Sequence, residues 1–360
     1  MSSRNVSARS SAGVQRWLRR IVLLGLGLLT GLTLLVLLSW SRALWVEDQQ
    51  PRQAAPTQGR WIHAYDVDLY VQEFGDAAAP PLLLTHGTGA WSGTWVSNVQ
   101  AMAHAGYHVI AVDLPPFGFS SRPVNRDYSR PAQARRILAL IDGLQLGPVT
   151  LLGHSYGGGP AAEAAMLGPQ QVRQLILLDA AIGLTDGAQS PPASGGWVAS
   201  LLDLRPLRTA LLATVGTQPW FSEYWLSQFV ARKEAVTAER TAIYQRPFVL
   251  KGFTKSLGDW AYQFALEDGQ ALSQQPAGFQ RLQMPLQLVW GELDTITPLA
   301  QALQLQGLAG NATLVVLPGV GHIPQIEDVE LFNWKIAEVL RRPVPTKQSG
   351  GPGQLPRMTE

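Results

Sequence analysis

Ser155 stands between two glycines in Gly153-His154-Ser155-Tyr156-Gly157, a spacing that suits a nucleophile. Upstream, Pro148-Val149-Thr150-Leu151-Leu152 is short, apolar and β-branched, which predicts a buried strand. Downstream, Gly158-Gly159-Pro160 leads into strong helix formers up to Leu167, predicting a helix with proline in its first turn. A serine on such a strand-to-helix turn is held in a strained conformation with its hydroxyl proud of the surface. The helix N-terminus behind it offers N–H groups to a developing oxyanion.

A serine hydroxyl needs a base, and the base needs an orienting carboxylate. Of the histidines His63, His86, His104, His108, His154 and His322, the last is the leading base. It sits in Gly319-Val320-Gly321-His322, a loop after the strand-like Thr313-Leu314-Val315-Val316-Leu317, and parallel sheets place their sites at strand carboxyl ends. Asp294 is the expected acid, in the loop that follows the strand-like Leu286-Gln287-Leu288-Val289-Trp290. Two alternatives stay open: Glu292 in the same loop, and Asp179 at the end of Gln174-Leu175-Ile176-Leu177-Leu178.

Acyl chemistry also needs oxyanion donors. The apolar strand Pro81-Leu82-Leu83-Leu84-Thr85 runs into His86-Gly87-Thr88-Gly89, and the Thr88 and Tyr156 N–H groups are the expected pair. His86 reads as structural. Gly87 and Trp91, beside this loop, are expected to meet substrate, and Tyr156 is expected to add its ring beside the site.

These motifs, in the chain order Ser155, Asp294, His322, resemble the α/β-hydrolase family over roughly Trp61 to Arg341. Asp113-Leu114-Pro115-Pro116-Phe117-Gly118-Phe119-Ser120 is similar to that family's loop after the fourth strand, with Pro116 where glycine is usual. The resemblance implies an α/β fold: a mostly parallel, eight-stranded twisted sheet flanked by helices, with a helical cap over the strand carboxyl ends. Serine as nucleophile points to the esterase, lipase, lactonase, C–C hydrolase and peroxidase-like branches.

Ile21 to Trp40 carries no charge, and twenty helical residues span about 30 Å, the thickness of a hydrocarbon core. Arg4, Arg9, Arg16, Arg19 and Arg20 precede it without one acid, which predicts a cytoplasmic N-terminus and an extracytoplasmic catalytic domain, periplasmic in a bacterium. An uncleaved signal anchor is the expectation. A signal peptide cleaved near Ser41-Arg42-Ala43 is the rival, and a core helix fits poorly a segment apolar on every face.

The expected organisation is a basic segment 1–20, a membrane helix 21–40, a linker 41–59, hydrolase core 60–182 and 280–341, a cap 183–279 and a disordered tail 342–360. Cap aromatics, among them Trp197, Trp220, Trp225 and Trp260, together with Leu201, Leu202, Leu207, Leu211, Leu212, Phe221, Phe229 and Phe248, are candidates for an apolar pocket. Without its five N-terminal arginines the chain has 23 basic against 26 acidic side chains, so nothing suggests a nucleic-acid surface. Zero cysteines exclude a thiol nucleophile and disulfides. No metal or other cofactor is expected.

The sequence thus points to a membrane-anchored serine hydrolase of a small, largely apolar carboxylic ester or related acyl compound. A C–C hydrolase of dienoic ring-cleavage products is one alternative. A hydrolase-fold binding protein with a vestigial triad is another.

Overall fold

Runs such as Leu82-Leu83-Leu84 alternate their side chains between two apolar surfaces, which is what a strand buried on both faces requires. The computed structural model describes residues 4–185, 202–266 and 269–341; Trp197, Leu201 and the expected tail lie outside them. Eight strands form one sheet: β1 (Gly59–Ala64), β2 (Val67–Phe74), β3 (Pro81–Thr85), β4 (His108–Val112), β5 (Val149–His154), β6 (Val172–Leu178), β7 (Leu286–Gly291) and β8 (Ala312–Leu317). Their order is β1-β2-β4-β3-β5-β6-β7-β8. The β1/β2 and β2/β4 pairs are antiparallel; the rest are parallel.

Leu83, Ile110, Leu151, Leu177 and Leu288 face one side, against α3 (Arg130–Gly143), α4 (Gly158–Leu167) and α9 (Leu299–Leu308). Leu82, Leu84, Val109, Leu152, Ile176 and Val289 face the other, against α2 (Val99–His104) and α10 (Val329–Arg341). The expected architecture is the observed one. Between β6 and β7 the chain leaves the sheet and forms α5 (Arg205–Val215), α6 (Pro219–Phe229), α7 (Ala238–Gln245) and α8 (Phe253–Ala265) over the strand carboxyl ends.

The N-terminal helix α1 runs from Arg4 to Val46, and its Trp17–Val46 stretch is long and apolar enough to cross a membrane. It continues past the Trp40 boundary expected from sequence, and its last turns pack on α5, burying Ser39 and Ala43. The residues that follow are docked, not free. Gln49 accepts from Lys251 N (2.9 Å) and donates to Val249 O (3.1 Å), so the polar segment read as a linker is stitched to the cap.

Candidate active site

The turn after β5 holds Ser155 at φ +50, a left-handed conformation that a side-chain-bearing residue rarely adopts. Its flanking glycines are required by close approach. A Cβ on Gly153 would meet Gly157 O at 2.7 Å, and one on Gly157 would meet His86 O at 2.5 Å. The sequence folds this way because the apolar β5 is buried throughout and the next residues are helix formers with their own small side chains against the sheet.

Ser155 Oγ lies 2.8 Å from His322 Nε2. His322 Nδ1 lies 2.8 Å from Asp294 Oδ2, so the imidazole donates to the carboxylate and accepts from the serine. Asp294 Oδ1 accepts from Ile296 N (2.8 Å) and Thr297 N (2.9 Å), and the Thr297 hydroxyl donates to Oδ2 at 2.6 Å. Burial opposes ionisation of Asp294, but the bonds from His322 and Thr297 outweigh it and hold the carboxyl below its usual range. The structure therefore brings together Ser155, His322 and Asp294, residues widely separated in the chain.

The two alternative acids are elsewhere engaged. Glu292 accepts from Gly319 N at 3.0 Å, bracing the loop that carries His322. Asp179, at φ +43, accepts from Gly291 N through Oδ1 at 2.7 Å. Its buried Oδ2 finds no donor among the described residues. Burial and then the Asp294 charge raise its pKa well above the usual carboxyl value.

Gly87 and Thr88 line the cavity at Ser155. Trp91 does not. It is buried behind Phe253, edge-on to Phe119, and its indole N–H donates to Ile243 O at 2.6 Å. A tryptophan tucked into a core needs such an acceptor, and the cap supplies it. The Tyr156 ring also turns away from the cavity, into a cluster with Phe117 and Trp260, and its hydroxyl accepts from Gln133 at 3.0 Å. What Tyr156 keeps near Ser155 is its backbone.

The neighbouring histidines hold loops. His86 donates from Nδ1 to Gly87 O (2.9 Å) and accepts Leu114 N–H on Nε2 (3.0 Å). His154 donates from Nε2 to His322 O (2.8 Å) and faces the Gln325 amide through Nδ1 (3.2 Å). Burial lowers both, to about 4 and about 3, so both are neutral.

The cavity above Ser155 encloses about 320 Å³. Leu212, Val215, Trp225, Phe229, Phe253 and Leu257 form much of its wall, and no Lys, Arg, Asp or Glu is among its described lining residues. Leu212, Trp225, Phe229 and Phe248 line the cavity, whereas Leu202, Leu207, Leu211 and Phe221 are not among its described lining residues, Trp220 is exposed and Trp260 is buried in the Tyr156 cluster. Among the described residues no cluster of three or more potential ligands is placed to hold a metal ion.

A family model for the alpha/beta hydrolase fold matches residues 80–329. The chain belongs to the α/β hydrolase fold family. Among its relatives, a 2-hydroxy-6-oxononadienedioate/2-hydroxy-6-oxononatrienedioate hydrolase of Burkholderia vietnamiensis is 29% identical over 264 residues, 72% of this chain and 87% of that protein. A 2-hydroxymuconate semialdehyde hydrolase of Pseudomonas sp. strain CF600 is 28% identical over 296 residues, covering 80% and 95% of the two chains. A solved bacterial structure described as a membrane phospholipase A shares the fold, with a TM-score of 0.61 at 23% identity over 91% of this chain and 100% of that one.

Two further carboxylates brace this α/β hydrolase site: Asp113, which opens the family-like loop seen in the sequence, and Glu327, which carried no assigned role. Glu327 Oε2 accepts from Ala231 N (2.8 Å), Arg232 N (3.1 Å) and Gly321 N (2.9 Å), and Oε1 from Ile323 N (3.2 Å), tying cap to the His322 loop. Asp113 accepts from Ser92 N and Phe119 N, each at 2.7 Å, and burial still pushes it up to about 6. Asp113 was signalled by that loop, whereas Glu327, the last residue of the short helix Pro324–Glu327, had no local signal.

Proposed function

We propose that this α/β hydrolase is a membrane-anchored serine hydrolase of apolar carboxylic esters. Ser155 Oγ attacks the ester carbonyl carbon while His322 Nε2 takes its proton, and Asp294 holds the tautomer and steadies the imidazolium. Backbone N–H groups of Thr88 and Tyr156 face the oxyanion. The tetrahedral species collapses, His322 returns the proton to the departing alkoxide, and the acyl group stays on Ser155. Water then attacks the acyl-enzyme with His322 again as base, releasing the acid and restoring the serine.

The observation that carries the substrate class is the apolar wall above Ser155, without a charged side chain among its described lining residues. An acyl chain is at home there. A second reading, C–C hydrolysis, is favoured by the two relatives just named. The substrate named for the Burkholderia protein is a dioate, with two carboxylates to desolvate, and unpaired charge is costly to bury. Among its described lining residues this cavity offers it no cation, so the ester reading ranks first.

For the anchor, α1 supplies the apolar span and the arginines before it favour a cytoplasmic N-terminus. The purified full chain is assayed in detergent against p-nitrophenyl esters and against a 2-hydroxy-6-oxo-dienoate, with fluorophosphonate labelling of Ser155. Ester turnover with labelling is the expected result. Turnover of the dienoate alone reverses the ranking, and no labelling of folded protein removes the enzyme reading.

A further inference from the structure

A second cavity, of about 510 Å³, opens where α1 meets the cap. One wall is apolar and belongs to α1: Trp40, Ala43 and Leu44. The other is cationic: Arg205 at the start of α5, and Lys251 and Lys255 flanking the start of α8. The apolar wall is continuous with the exposed side chains Leu37, Leu38 and Trp45 of the same helix. An amphiphile with an anionic head matches both walls at once.

The charges here do not cancel. Arg205 and Arg208 share one carboxylate, Asp259. Glu47 also lines the cavity, but its carboxylate is taken up by the backbone N–H (3.0 Å) and hydroxyl of Thr254. Asp48, its neighbour in the chain, is not among the lining residues. Lys251 and Lys255 are exposed and make no ion pair among the described residues. Three cations, Arg205, Lys251 and Lys255, therefore line the cavity, and its one lining carboxylate, Glu47, is engaged by Thr254. The place matters as much as the sign: a phosphate at the end of a membrane-spanning helix lies at headgroup depth.

We infer that this cavity seats the phosphate of an anionic phospholipid whose acyl chains lie along α1. The inference rests on α1 spanning a bilayer, as set out under the proposed function. The seat adjoins the catalytic cavity, because Phe253, between the two lysines, and Leu257 line the latter. A bound lipid therefore fixes the cap relative to the bilayer surface at a wall of the acyl pocket.

The test uses the full chain carrying Ser155→Ala, so that no lipid ester turns over, in micelles doped with equal phosphatidylglycerol and phosphatidylcholine. Native mass spectrometry counts the adducts. Phosphatidylglycerol adducts are expected to dominate by about tenfold or more, given roughly 1 kcal/mol per interfacial lysine or arginine. Lys251→Gln with Lys255→Gln should remove most of that preference. Arg135→Gln with Arg281→Gln, exposed cations of the core, should keep it.

Equal adducts of the two lipids, or equal losses in both variant pairs, overturn the site. So does inorganic phosphate that raises the melting temperature through the two lysines while displacing phosphatidylglycerol without help from chains; the ligand is then free phosphate. Melting temperatures check that each variant folds, and the single lysine variants replace the pair if it does not. Retention of the chain in vesicles at alkaline pH reports insertion of α1 separately. A chain that washes off refutes the anchor itself, whereas an inserted chain without lipid preference refutes only this site.

Discussion

Glu47 Oε1 accepts the Thr254 backbone N–H at 3.0 Å, so the residue just beyond α1 caps the helix whose first residue, Phe253, lines the catalytic cavity. The Thr254 hydroxyl donates to the same oxygen and lies 2.7 Å from the hydroxyl of Thr217. The N-terminal helix, cap and pocket wall are thereby one hydrogen-bonded unit. Removing a helix cap typically costs about 1 kcal/mol. Glu47→Ala should lower the melting temperature of the full chain and raise KM for long-chain esters more than it lowers kcat. Melting and steady-state assays across an acyl series check this; an unchanged KM would mean the cap helix holds its position without the anchor.

The acid assignment separates three carboxylates that sequence left in competition. Asp294→Asn should lower kcat/KM by about 10⁴, because the imidazole loses the partner that fixes its tautomer. Ser155→Ala should cost at least as much, on the order of 10⁴ or more, with substrate binding largely retained. Glu292→Gln should stay within a few-fold of wild type, since its oxygen serves Gly319 N and not His322. Comparable losses in the Glu292 and Asp294 variants would overturn the assignment.

Asp179 gives a pH signature of its own. Its folded-state pKa is raised by burial and by the neighbouring Asp294 charge, so the folded chain keeps this proton to a higher pH than the unfolded chain. The stability it contributes is complete below the unfolded carboxyl value of about 4 and is lost as pH rises towards the folded value. Asparagine mimics the protonated acid at every pH. Asp179→Asn should therefore gain on wild type in melting temperature as pH rises from acid to alkaline. Parallel melting curves across pH would show that Asp179 ionises as an ordinary carboxyl.

What the sequence made legible follows the range of the interactions involved. The Ser155 turn is written locally, in a β-branched run, a glycine pair and a helix-forming stretch, and the structure carries it at the predicted place. His322 and Asp294 were reachable because parallel sheets put loops at strand carboxyl ends. Trp91 was not, because its side chain is fixed by the Ile243 carbonyl, 152 residues away. The Ser41–Gly59 segment looked like a tether because Glu47 finds Thr254 only across 207 residues. Glu327, with four backbone N–H partners, was equally silent, since their convergence exists only in the folded chain.

The cavity wall offers the sharpest check on substrate class. Leu212 projects from α5 into the catalytic cavity, on the helix that also packs against α1. Leu212→Trp adds bulk at that wall without adding charge, and overpacking of a well-filled site typically costs 1–3 kcal/mol, which is roughly 5- to 150-fold in affinity. If the acyl chain occupies this space, kcat/KM for a long-chain p-nitrophenyl ester should fall about tenfold or more, while that for the acetate ester stays within a few-fold. Leu212→Arg tests the other reading: a cation there should penalise long apolar acyl groups and relieve the desolvation of a dienoate carboxylate. Equal effects of Leu212→Trp on acetate and long-chain esters would place the acyl group elsewhere, and a gain in dienoate turnover by Leu212→Arg would show that charge alone had kept that substrate out.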